Sequence, residues 1–184
     1  MAKKHLLIGS GAAGLSALRE IRDLSGEDRI KMVTMEDTLP YSPTTLPYLL
    51  SGKIDESRLW TVDQEFFREM GSELILGRRL VEVKPDRREV VFAGGEKETY
   101  DTLLIATGSE PLLPVIEGIE AIPVLGFHTL ADYRELVARL RDGTEVLIYG
   151  GGLVAMGLAS NLAKRGMKVK LVVRSRILRR YFDP

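Results

Sequence analysis

Cysteine is missing from all 184 residues. Its absence excludes disulfides, thiolate nucleophiles and cysteine-held metal or iron-sulfur clusters within this chain. Histidine is scarce: His5 and His128 are the only two, far apart and without metal-ligand neighbours, so they read as strand or loop residues and no metal site is expected. Net charge is lacking too, because 26 Lys and Arg balance 26 Asp and Glu, which leaves no overall field to draw nucleic acid or a membrane surface. No apolar run approaches the ~20 residues that span a bilayer. Met1-Ala2-Lys3-Lys4 enters a strand directly instead of a signal-peptide core. These absences predict a cytoplasmic protein with no nucleic-acid or membrane partner. The length suits one full domain, or a domain plus part of another.

What is present begins at once. Lys4 to Ile8 is an apolar strand that runs into Gly9-Ser10-Gly11-Ala12-Ala13-Gly14, a G-x-G-x-x-G, and then into a helix over Ala13 to Leu24. In such a cradle the first glycine permits the tight turn, the second lets a pyrophosphate approach the backbone, and the third lets helix lie close on strand. Ala12 and Ala13 fill the positions between. A strand over Arg29 to Glu36 ends in an acid 22 residues beyond Gly14, close to the ~20 expected of a ribose-binding carboxylate.

The chain then turns irregular. Pro40, Pro43 and Pro47 forbid a regular helix, so residues 37–53 read as a shaped loop that passes into a short helix and serves function beyond connection. Trp60 to Met70 is expected to be a helix with Val62, Phe66, Phe67 and Met70 inside, ended by Gly71. Leu74 to Leu76, Leu80 to Val83 and Glu89 to Ala93 suggest short antiparallel strands inserted as a meander. Tyr100 to Gly108 returns to a buried strand whose apolar run fits a parallel sheet covered on both faces. Pro111 to Pro123, with three prolines and Gly118, looks like a linker. Leu130 to Leu140 has helical spacing.

A second strand, cradle and helix follow. Glu145 to Tyr149 leads into Gly150 and Gly152, and Ala155 takes the third place, as the fingerprint permits. Met167 to Val173 completes this second strand-helix-strand unit. Two cradles imply two dinucleotides, and the simplest protein to hold two redox dinucleotides is a flavin enzyme exchanging hydride with a nicotinamide. At the end of the last strand Val173 stands where an NAD site has its acid. Arg174 and Arg176 follow and could pair a 2′-phosphate; equally, Arg174, Arg176, Arg179 and Arg180 could form a solvated basic face. The site is expected to tolerate NADP as well as NAD.

With both cradles, Glu36, the meander and the Ala106-Thr107-Gly108 turn in view, the chain resembles the FAD-dependent pyridine nucleotide-disulfide oxidoreductase superfamily over essentially its whole length. The resemblance implies an α/β fold of two Rossmann-like dinucleotide-binding domains with an inserted antiparallel β-meander, residues 1–113 belonging to an FAD domain and 114–184 to an NAD(P) domain. It implies that Gly9, Gly11, Ala12, Ala13 and Gly14 hold the FAD pyrophosphate, Glu36 the adenosine ribose and the Val81 backbone the adenine. Ala106, Thr107 and Gly108 would pass beside the flavin, and Gly150, Gly152, Ala155 and Arg174 would hold the nicotinamide nucleotide. Family members often have Glu where this chain has Gly157, which could widen the nicotinamide pocket. They also return to the FAD domain and add a dimerisation domain, so the chain is expected to be incomplete at its C-terminus, with Tyr181 to Pro184 approaching a further helix.

Tyr41 to Tyr48 is similar to the C-G-L-P-Y-Y stretch of coenzyme A-disulfide reductases and related NADH oxidases. Thr44 occupies the cysteine's place, where a hydroxyl can shape a site beside the flavin but cannot do thiol chemistry. The loop also resembles the FAD subunits that reduce NAD in multi-subunit oxidoreductases. The reading favoured is an FAD-dependent NAD(P)H oxidoreductase that passes electrons to an iron-sulfur subunit or ferredoxin-like carrier, working as an oligomer or complex subunit. A catalytically reduced nucleotide-sensing or scaffold flavoprotein, and a cysteine-free NADH oxidase, are the alternatives; turnover of NAD(P)H separates enzyme from sensor.

Overall fold

The apolar run at the start of the chain forms strand β1, Lys4–Ile8, and its side chains go alternately to two different layers. Leu7 packs with Leu15 and Leu18 of helix α1 (Ala12–Leu24) and with Ile30, Met32 and Phe67. Leu6 and Ile8 pack on the opposite face with Val33, Val90 and Phe92. Cover on both faces needs consecutive apolar residues, which is why Leu6, Leu7 and Ile8 are all buried. The computed structural model describes residues 2–179, 181 and 182. Arg180 of the basic run, and Asp183 and Pro184 of the expected approach to another helix, lie outside the described residues.

The chain divides into two compact units, Met1–Ser42 with Trp60–Ser109, and Pro43–Leu59 with Glu110–Pro184. The structural division therefore falls at Ser109/Glu110, four residues before the expected one at 113, and it assigns an excursion from the first half to the second unit.

In the first unit β1 is flanked in parallel by β2 (Arg29–Val33) and β7 (Thr102–Ile105), and β3 (Ser72–Ile75) extends the sheet beside β2. The antiparallel meander is a separate sheet of β4 (Leu80–Lys84), β5 (Glu89–Phe92) and β6 (Lys97–Thr99). Two expectations are corrected here. Leu74 and Ile75 belong to the parallel sheet, not to the meander, because α3 (Gln64–Glu69) serves as the crossover that brings β3 in beside β2. The strand expected over Tyr100 to Gly108 is shorter, the four-residue β7 beside β1, with Leu103 packed against the cluster of Leu6 and Ile8. Helix α3 starts later than expected, at Gln64, because the Asp63 carboxylate accepts from the Phe66 amide and caps it there.

Polar ties hold the ends of these elements. Both ring nitrogens of His5 are engaged, Nδ1 with Thr102 Oγ1 at 2.5 Å and Nε2 with Asp28 Oδ2 at 3.0 Å. The His5 hydrogen bond, followed by the Lys3 amide, lowers the Asp28 pKa to about 2. Any stability from this pairing is therefore present above the ordinary carboxylate range and lost as pH falls towards that value. Arg22, near the end of α1, donates to five carbonyls: Met70, Ser25, Gly26, Asp28 and Gly71, at 2.7 to 3.2 Å. One guanidinium thus fastens the end of α1 to the approach of β2 and to the turn between α3 and β3.

The second unit has the same plan in smaller form. Strands β8 (Glu145–Tyr149) and β9 (Lys168–Val172) pair in parallel, joined by helix α5 (Leu153–Lys164). Ile148, Ala159 and Leu162 form its core with Leu136 of α4 (Leu130–Arg139) and with Leu50 of α2 (Leu46–Leu50), the short helix in the excursion. Asn161 Nδ2 donates to the Pro47 carbonyl at 2.9 Å, and Arg165 donates to that of Leu50 at 3.2 Å. On the other face of β8, Leu147 and Tyr149 are exposed. Residues 111–123 carry only the short turn Ile119–Ala121. No helix among the described residues is long and apolar enough to cross a membrane.

The Arg22 clamp yields a stability prediction. Arg22→Met keeps the aliphatic stem but leaves five carbonyls without their donor, and it should lower unfolding free energy by about 2–3 kcal/mol in denaturant titrations. Arg22→Lys should recover little of the loss, since an ammonium cannot fork across separated carbonyls.

Candidate functional site

The first cradle is set by three backbone segments that meet. Gly9 donates its amide to the Val33 carbonyl at 2.8 Å, and Ala106 donates to Ile8 at 2.7 Å. A Cβ on Gly9 would stand 2.2 Å from the Ala106 carbonyl oxygen, and one on Gly14 would stand 2.1 Å from that of Gly9. Neither position admits a side chain, and Gly9 also has φ +108°. Gly11 is different. Its φ is an ordinary −73°, and a Cβ there would find nothing within 4 Å. No packing within the protein demands a glycine at that position, so the open space suits close approach by a ligand.

The helix caps point the same way. Helices α3 and α4 start on side-chain caps: Asp63 in one, and in the other a reciprocal Thr129 and Asp132 pair. Helix α1 starts on Gly11 and α5 on Gly152, neither with a side-chain cap and neither with an acid in its first turn. Helix starts of this kind, with uncapped first amides and a positive dipole end, favour an anion. Ala12 and Ala13 form the exposed first turn of α1.

Around this cradle the first unit places several of the expected residues. Glu36 lies three residues past β2, half-buried, with its carbonyl accepting from Gly77 at 2.9 Å. Thr107 and Gly108 are exposed immediately beyond Ala106, at the end of β7. Val81 is the residue skipped where the β4 to β5 register shifts between Leu80 and Glu82; a bulge of this kind leaves a residue outside the ladder. Thr44 belongs to the other unit. It lies exposed in the turn Pro43–Thr45, within the second unit.

In the second cradle Gly150 has φ +135°, and a Cβ on it would lie 3.9 Å from the Ala155 methyl, so the third position has room for alanine. Gly152, like Gly11, faces open space. Gly151 is the crowded member: a Cβ there would come within 2.8 Å of Val173 Cγ1, and its carbonyl accepts from Leu178 at 2.6 Å. The segment after β9 is thereby folded against the cradle, and together they line a cleft of about 460 Å³ that includes Gly150, Gly152, Arg174 and Arg176. Arg176 donates to the Phe182 carbonyl at 3.0 Å, whereas Arg174 makes no hydrogen bond or ion pair among the described residues. Gly157 faces Pro47 of the excursion, 3.9 Å from where its Cβ would be, so a longer side chain there would meet α2.

Sequence reasoning missed one contact in the first unit. Tyr41 is buried and its hydroxyl donates to Glu36 Oε2 at 2.7 Å. An aromatic residue five positions after the acid, in a loop stiffened by proline, was the available signal.

The pyridine nucleotide-disulphide oxidoreductase family model matches residues 3–184. Epsilon, a subunit of the NADH-dependent phenylglyoxylate dehydrogenase of Aromatoleum evansii, is 36% identical over 181 residues, which are 98% of this chain and 43% of that protein. The NAD(P)H coenzyme A polysulfide/persulfide reductase of Pyrococcus horikoshii is 33% identical over all of this chain and 42% of its own length. Among solved structures, a ferredoxin reductase from Rhodopseudomonas palustris superposes with TM-score 0.88 at 26% identity, covering 99% of this chain and 45% of that one. The chain thus spans less than half the length of these relatives.

The contrast between the glycines is testable in the full-length protein. Gly11→Val should fold with a melting temperature within about 2 °C of the parent when ligand-free, yet lose at least about tenfold in dinucleotide affinity. Gly14→Ala should instead destabilise the fold by about 1–3 kcal/mol, because its methyl overlaps backbone. Titration of each apoprotein, with thermal melts beside it, separates the two outcomes.

Proposed function

The chain belongs to the pyridine nucleotide-disulphide oxidoreductase family, and on that premise we propose that its first cradle holds FAD, its second holds NAD(P)H, and the complete protein is a reductase serving a partner electron carrier. The observation that carries this reading is the pair of glycine-started helices, α1 and α5, each uncapped by side chains at the end of a parallel strand. Flavin, when bound, supplies the exchange between two-electron hydride chemistry and one-electron transfer.

The chain's own residues bind and orient. In this reading the amides at the start of α1 take the FAD pyrophosphate past Gly11, and the Glu36 carboxylate accepts from the adenosine ribose. Val81, set apart by its bulge, offers its backbone to the adenine. In the second unit the start of α5 takes the nicotinamide nucleotide's pyrophosphate past Gly152, and Arg174, which makes no hydrogen bond or ion pair among the described residues, pairs a 2′-phosphate in this reading. Thr44 supplies a hydroxyl where relatives of this loop type carry cysteine, so the proposal needs no protein thiol within these residues. The relative named as a dehydrogenase subunit supports a protein partner, and an iron-sulfur subunit or ferredoxin-like carrier is the class proposed.

Steady-state assays of the full-length protein with a one-electron artificial acceptor test the reading. Turnover is expected with both NADH and NADPH, at kcat/KM values within about tenfold of each other. Tight FAD binding without turnover would replace the enzyme by a nucleotide sensor. Arg174→Ala should raise KM for NADPH about tenfold and leave NADH unchanged. A hundredfold preference for NADH in the parent, about 2.7 kcal/mol, would make Arg174 and Arg176 bystanders.

A further inference from the structure

We propose that Tyr41 is a positioning residue for FAD binding: its hydroxyl fixes the Glu36 carboxylate in the orientation that receives the adenosine ribose. The inference rests on the reading of the first cradle as the FAD site.

Glu36 stands beyond the end of β2 on a backbone that is tied at several points. Thr34 donates to Ile75 and accepts from Arg78, at 2.9 and 2.8 Å, and the Glu36 carbonyl accepts from Gly77. The backbone is therefore set, but a glutamate side chain has three further torsions. On a half-exposed residue these would sample several rotamers, and ordering them on binding would cost affinity. Tyr41 removes that freedom. Its ring is buried, and its phenol donates to Oε2 at 2.7 Å, a charge-assisted bond when the carboxylate is ionised. Oε1 makes no hydrogen bond among the described residues. A carboxylate offers about four acceptor sites, so one is used to hold the group and the rest are left for the vicinal hydroxyls of a ribose.

Tyr41 is itself held at the root of the excursion. It pairs with Trp60 in an isolated antiparallel bridge, and the Pro40 carbonyl accepts from Thr61 at 2.8 Å. The chain leaves the first unit after Ser42 and re-enters it at Trp60. The phenol is thus fixed where the loop closes, independently of any ligand.

A double-mutant cycle on FAD affinity tests the proposal in the full-length apoprotein, read by flavin fluorescence. Tyr41→Phe keeps the ring and removes only the hydroxyl; it should raise the FAD Kd by about two- to tenfold. Glu36→Ala should raise it further, and adding Tyr41→Phe to Glu36→Ala should change Kd less than twofold. That non-additivity is the signature of action through Glu36, which a packing role alone would not produce. Equal losses from Tyr41→Phe in both backgrounds, no loss in the parent, or failure of Tyr41→Phe to fold by circular dichroism would each overturn the proposal. Normal FAD affinity in Glu36→Ala would overturn the reading of the cradle itself, and the positioning role with it.

Discussion

The structure depends on a close meeting of backbones at the end of β1. The Gly9 carbonyl lies against the α carbon of Gly14, and the Ala106 carbonyl lies against that of Gly9. Strand, helix and returning strand reach one another at distances that only hydrogen can occupy. This approach draws the start of α1 down onto the sheet and places its free amides above the strand ends. It also joins residue 9 to residue 106, so the first unit cannot complete its sheet until the meander has been traversed. Glycine contributes nothing to packing here; what it supplies is permission for the main chain to be its own neighbour.

Stability and binding are divided among different helix ends. Helices α3 and α4 satisfy their first amides internally through Asp63 and through the Thr129 and Asp132 pair. Such a cap contributes about 1 kcal/mol. The two cradle helices forgo it, and the first unit compensates elsewhere, most visibly through the Arg22 clamp at the opposite end of α1. The N-terminal end of that helix carries no side-chain cap while its C-terminal end is locked to the protein.

Features that depend on the backbone of a single short segment were legible in the sequence. Gly9 to Gly14 and Gly150 to Ala155 announce their turns because Gly9 and Gly14 leave no room for a Cβ and Gly9 and Gly150 hold a positive φ, and Gly71 and Pro111 to Pro123 ended elements where expected. Features that depend on a distant partner were not. The triplet Leu74 to Leu76 carries apolar character but no sign of whether its neighbour runs parallel or antiparallel; β2, about forty residues earlier, decides that. The run Tyr100 to Gly108 reads as one strand, yet β7 keeps only Thr102–Ile105. The loop after Glu36 was legible as shaped, since proline restricts it, but the direction of Leu46, Leu49 and Leu50 into the core with Leu162 had no local signal. Nor did the reach of Tyr41 back to Glu36, which is a matter of loop geometry.

The excursion Pro43–Leu59 also sets an order of events during synthesis. Leu50 must wait for Ile148 and Leu162 before its core exists, and Pro47 meets Asn161, 114 residues further on. At ordinary elongation rates that interval is roughly 6–23 s. Throughout it, the strands of the first unit can pair while a loop rich in leucine waits in water. The gene could not be cut after Ser109 into two independent pieces: the first would carry an orphaned apolar loop, and the second would lack part of its core. The chain's order of synthesis and its order of packing therefore differ, and the second unit can finish only after its own last strand-helix-strand has been made.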